Sequence, residues 1–122
     1  MDSVEFKTAC YTKLASAAPH LTQEEYVDIH RQYLEYHGAR NSDEILAIPI
    51  EEMAELTQHL TKIIRGKETA DGGNCGLVEE MADVQICIDS LKKYFCITDE
   101  QMQYAIDVKM ERFRLKLAAG TA

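Results

Sequence analysis

Proline and glycine are scarce, at two and six of 122 residues. That scarcity, with 46% hydrophobic residues, excludes a low-complexity tract and fits a folded helical domain. None of the four cysteines, Cys10, Cys75, Cys87 and Cys96, belongs to a CxxC pair. They read as reduced thiols in a cytoplasmic protein rather than as a disulfide framework or a zinc site. No stretch approaches the ~20 apolar residues that a membrane span needs. The opening MDSVEFKTACYTK has no basic start and no long apolar run, so no signal peptide is expected. Positive charge is short as well: 13 Lys and Arg stand against 21 Asp and Glu, a formal net charge of -8. Such a chain lacks the cations that phosphate neutralisation on a nucleic acid requires. A small anionic ligand stays open, given a local group of cations or a metal ion. Internal repeats are absent, and so is any run of strict two-residue alternation, which argues against a sheet.

Helical signals fill the space these absences leave. The length of 122 residues suggests one domain with a modest core, small enough that self-association is plausible. Residues 1–20 suit an N-terminal arm or a short helix ended by Pro19. Thr22-Gln-Glu-Glu25 has the form of a capping box and opens a first helix to about Tyr36, with Gly38 as its C-terminal glycine. Asn41, Ser42 and Asp43 are fresh N-cap candidates for a second helix over about 44–65, in which Pro49 is expected to cause an offset or kink. Gly66 ends it, a glycine-rich loop occupies 67–76, and a third helix covers about 77–95. Thr98-Asp-Glu-Gln101 is a second capping box, opening a fourth helix to about Leu117. The expected fold is all-α: a four-helix bundle core over 21–118, with an extra N-terminal helix or arm.

Side chains advance about 100° per residue on a helix, so the apolar stripes can be drawn. The second helix gives Leu46, Ile50, Met53, Leu56, Leu60 and Ile64. The third gives Leu77, Met81, Val84, Ile88, Leu91 and Phe95. Glu52 falls at the edge of the first stripe, with Glu55 one step round, because positions i and i+3 are neighbours. Glu80 and Asp83 repeat the arrangement on the third helix. If the two helices run antiparallel, four carboxylates converge. Unpaired carboxylates against a core repel and take up protons. A hard divalent cation resolves that, and Mg²⁺ prefers carboxylate, water and phosphate oxygens. The bland alternative is a pair of solvated acidic helix faces. On the fourth helix Lys109 lies inside the stripe of Met102, Ile106, Phe113 and Leu117, and Arg112 lies at its edge. Either their stems cover the core or their cations meet a phosphate chain. Ala82, Ile86 and Cys87 form a second apolar face on the third helix, expected at a subunit interface.

Glu51-Glu52-x-x-Glu55 followed by Glu80-x-x-Asp83 resembles the EExxE…ExxD signature of the all-α nucleotide pyrophosphohydrolases. Residues 48–67 together with 77–91 look closest to the short MazG-like proteins of that superfamily, and Lys109-x-x-Arg112 sits where they carry a late KxxR. The resemblance covers roughly residues 44–117. It implies Mg²⁺, with Mn²⁺ as a substitute, held by Glu52, Glu55, Glu80 and Asp83. It implies hydrolysis of a nucleoside triphosphate to monophosphate and pyrophosphate by a homodimer or homotetramer. Glu51 is then a candidate general base, and Lys109 and Arg112 are phosphate contacts. Two rivals remain: a non-catalytic helical interaction protein, and the same site acting on phosphoribosyl-ATP or on dUTP alone. Tyr33, Tyr36 and His37 could stack on a base or merely pack, and His59 reads as a polar edge residue.

Overall fold

The computed structural model describes residues 21–66 and 76–120, together with Glu5. Apart from Glu5 and Gly76, the expected N-terminal arm and the glycine-rich loop lie outside the described residues. Four helices follow one another: α1 (Gln23–Arg40), α2 (Glu44–Ile64), α3 (Gly76–Tyr94) and α4 (Asp99–Ala118). No strand occurs among the described residues. No described helix is long and apolar enough to cross a membrane. The chain divides into two compact units, residues 1–90 and 91–122.

Both expected capping boxes are present. The Thr22 hydroxyl accepts from the Glu25 amide at 3.1 Å, and the Glu25 carboxylate accepts from the Thr22 amide at 3.0 Å. Thr98 and Gln101 repeat the exchange at 3.1 and 2.8 Å. Each box satisfies two amides that the first turn leaves without helical partners. Gly38, expected to end α1, is instead inside it. The helix runs on to Arg40, and a Cβ at Gly38 would stand 3.4 Å from Ile45 Cδ1. That is an ordinary contact distance, so nothing there demands a glycine; Asn41 makes the turn by accepting from the Asp43 amide at 3.0 Å. Pro49 neither starts nor ends α2, which is helical from Glu44 onward with Pro49 buried inside it.

The first unit contains α1, α2 and α3 up to Ser90. Its interior is built from small and polar groups. Cys87 and Ser90 on α3 are each 3% exposed, His30 on α1 4% and His59 on α2 9%. His30 Nε2 lies 2.9 Å from Ser90 Oγ, which donates to the Ile86 carbonyl at 3.0 Å, so the histidine is the donor. The Tyr26 hydroxyl donates to Asp89 at 2.6 Å. These bonds tie α1 to α3.

Two expected faces are corrected here. The inward line of α2 is Pro49, Glu52, Leu56, His59 and Ile63, all buried or half-buried. Most of the stripe drawn from the sequence faces outward: Leu46, Ile50, Met53, Leu60 and Ile64 are 38, 65, 45, 45 and 84% exposed. On α3, Cys87 is interior rather than at a subunit interface, while Met81 is 55% exposed. Each helix carries two lines at helical spacing, and periodicity alone does not say which one the chain buries on itself.

In the second unit, α3 ends in a Schellman turn. Ile97 donates to the Lys92 carbonyl at 2.8 Å and Cys96 to the Lys93 carbonyl at 3.3 Å. Cys96 holds the left-handed position, φ 56°, that glycine usually fills. A β-carbon there costs about 1–2 kcal/mol. Cys96→Gly is therefore expected to raise the melting temperature by a few degrees, and calorimetry showing a loss would count against this strain. The helix α4 has no buried residue.

Candidate metal centre

The inward line of α2 places Glu52 between Pro49 and Leu56, and the inward line of α3 places Glu80 and Asp83 one turn and more before Cys87. Glu52 meets Asp83, and Glu55 meets Glu80. Ascending α2 while descending α3 makes the two helices antiparallel, the condition for convergence. One carboxylate oxygen from each of Glu52, Glu80 and Asp83 lies within 4.8 Å of the others, and all three residues are half-buried. Glu55 is exposed at the rim.

The electrostatics are those of anions held together. Burial, then the charges of Asp83 and Glu55, a proton shared with Asp83 and the charge of Glu80 push the Glu52 carboxyl up to about 7. Burial, then Glu55 and Asp83, raise Glu80 in the same direction. No cation appears among the causes of either shift. Glu52 Oε2 and Glu80 Oε2 are buried with no hydrogen-bond donor. A native interior rarely leaves such atoms unserved. Hard oxygen donors at this spacing, two of them orphaned, fit one divalent cation with small rotamer adjustments.

Two residues not assigned to the site in the sequence analysis wall its inner side. Tyr33 on α1 is raised by burial and by Cys87, Glu52, Asp83 and Glu44. Burial, with Glu52 and Asp83, pushes the Cys87 thiol up to about 11. Tyr33 is positioned by ring contacts along α1, to His30 at 6.0 Å and to His37 at 4.4 Å between centroids. The signal for Cys87 was present in its spacing, one turn after Asp83.

Glu51 is exposed and causes neither carboxylate shift, so it is not gathered into the cluster. Lys109 and Arg112 lie on α4 in the second unit, both exposed. No family model, curated protein or solved structure matches the chain.

Proposed function

We propose that this chain is a Mg²⁺-dependent pyrophosphohydrolase that cleaves a nucleoside triphosphate to monophosphate and pyrophosphate. The observation that supports it is the convergence of Glu52, Glu80 and Asp83 with two buried, donorless oxygens. The carboxylate motifs and their order supply the substrate class through the resemblance to MazG-like enzymes. Glu52, Glu80 and Asp83 would hold the ion, with Glu55 joining from the rim. A bound Mg²⁺ would neutralise phosphate charge and lower the pKa of a coordinated water.

The protein's own groups have separable tasks. The inner carboxylates fix the position of the charge, and the wall of Tyr33 and Cys87 limits water on that side. Glu51, exposed and outside the cluster, is the candidate to take a proton from the coordinated water, a role resting on the resemblance. Lys109 and Arg112 would stabilise phosphate charge, a role resting on the resemblance. The chain would act as a homodimer or homotetramer.

The test is pyrophosphate release from a panel of ribo- and deoxyribonucleoside triphosphates, phosphoribosyl-ATP and dUTP, with Mg²⁺ or EDTA. Metal-dependent pyrophosphate with little orthophosphate is the expected result. Activity confined to phosphoribosyl-ATP or dUTP would reassign the substrate. Silence across the panel would favour a non-catalytic interaction protein.

A further inference from the structure

Ionised carboxylates only accept hydrogen bonds, so the carboxylates of the metal centre supply no donors of their own. Glu52, Glu80 and Asp83 each bring one oxygen to the convergence, and Glu52 Oε2 is buried with no donor. The proton that Glu52 shares with Asp83 is lost when a cation takes its place. Backbone amides along α2 and α3 are bonded within their own helices, and Pro49, one turn before Glu52, has none. A protein donor to Glu52 therefore comes from a side chain. Two stand behind the carboxylates, the Tyr33 hydroxyl and the Cys87 thiol, and a thiol is the weaker donor. Tyr33, Pro49 and Cys87 line one narrow cavity between α1, α2 and α3. That cavity lies one helical turn from Glu52 on α2 and one turn from Asp83 on α3.

We propose that Tyr33 is a positioning residue of the metal centre: its hydroxyl donates to the Glu52 carboxylate and holds that ligand in place for a divalent cation. Metal-bound carboxylates are themselves held by hydrogen bonds, which fix their orientation. The helix α1 is built to keep Tyr33 at this spot. It is tied to α3 by the Tyr26 hydroxyl, which donates to Asp89 at 2.6 Å, and by His30 Nε2, 2.9 Å from Ser90 Oγ. Tyr33 follows one turn later on the same face of α1. Its ring stacks on His30 at 6.0 Å and 17° and meets His37 edge-on at 4.4 Å. His37 lines the same cavity but turns Nδ1 to Glu44 at 3.4 Å. Burial, then the neighbouring Cys87, Glu52, Asp83 and Glu44, keep the proton on the Tyr33 hydroxyl, so it stays a donor.

The inference rests on the metal reading above and not on the nucleotide reaction. Its test is Mn²⁺ binding to the full chain without nucleotide, followed by electron paramagnetic resonance of the free ion, with thermal melting in EDTA beside it. Tyr33→Phe keeps the ring and its contacts to His30 and His37 and removes only the donor. Mn²⁺ should bind this variant about 10- to 100-fold more weakly than the wild type, the range seen when a ligand loses its hydrogen-bond partner. Its melting temperature in EDTA should match the wild type. Tyr104→Phe, which removes an exposed hydroxyl on α4, should change neither. Equal Mn²⁺ affinity in wild type and Tyr33→Phe overturns the inference and leaves the metal centre standing. A weaker affinity matched by a lower melting temperature in EDTA assigns Tyr33 to the fold and overturns it too. A wild-type chain that binds no Mn²⁺ overturns the inference and the metal reading together.

Discussion

Glu52→Gln is expected to abolish Mg²⁺-dependent pyrophosphate release and to make the metal-free protein more stable. The two effects share one cause. Glu52 faces Asp83, Glu55 and Glu80, and its carboxyl is pushed up to about 7 chiefly by burial and then by those anions. The amide has the same shape and no charge, and its nitrogen can donate to Asp83. At pH 8 the relief should be about 1–2 kcal/mol after solvent screening of a half-buried site, or about 5 °C in melting temperature. Loss of a central ligand should lower turnover by at least about 100-fold, as removal of other charge-stabilising groups does. Asp83→Asn should behave alike.

The direction of the pair of effects carries the discrimination. A residue that only holds the fold together loses stability and activity in parallel. A residue retained for a cation gives up activity and gains stability when its charge is removed. An interaction protein with acidic faces could show the stability gain, but no nucleotide turnover would exist to be lost. If Glu52→Gln kept full Mg²⁺-dependent turnover, Glu52 would not be a ligand. If it lowered stability at pH 8, the repulsion described here would be absent.

The ends of the helices were more legible in the sequence than their faces. Thr22 and Thr98 act locally, through residues three positions away, so their capping boxes could be read directly. Gly66, with φ 71°, ends α2 as expected for the same reason. Gly38 was misread because the helix runs through it to Arg40 and the turn is made at Asn41 instead. The apolar lines were exchanged for a related reason. Leu46, Ile50, Met53, Leu60 and Ile64 are the more hydrophobic set, yet the chain turns Pro49, Glu52, Leu56, His59 and Ile63 inward. A reading that assigns the most apolar line to the core assumes that each chain buries its own best surface. That assumption fails here, where five members of the most apolar line are exposed in the single chain. The convergence of carboxylates could nevertheless be posed, since Glu52 belongs to the inward line and spacing fixed its relation to Glu55. Glu80 and Asp83 are brought to it by α3 running antiparallel to α2, which sequence could pose only as a condition.

In EDTA, stability is expected to fall as pH rises from 6 to 8, and Mg²⁺ is expected to restore it. The sign follows from Glu52. Its carboxyl titrates near 7 in the folded chain against the usual 4.5, so between those values the native state binds more protons than the unfolded state. Stability therefore decreases with rising pH through that window, and the penalty is complete above about 7. Glu80 shifts the same way, and no cation among the facing groups (Asp83, Glu55 and Glu80 around Glu52, with Tyr33 and Cys87 behind) opposes it. The lowered carboxyls of Glu25 and Asp99 act in the opposite sense and only at lower pH, where their caps and ion pairs are lost. A bound cation substitutes for the protons, adding about 2.7 kcal/mol at a hundredfold excess over its dissociation constant. Because protons compete for the same oxygens, the Mg²⁺ effect should be larger at pH 8 than at pH 6. The comparison needs Glu52→Gln beside the wild type at one protein concentration. The variant should flatten both the pH slope and the Mg²⁺ response. A wild-type melting temperature that rises from pH 6 to 8 in EDTA, or one that Mg²⁺ leaves unmoved at pH 8, would remove the case for a cation at these carboxylates.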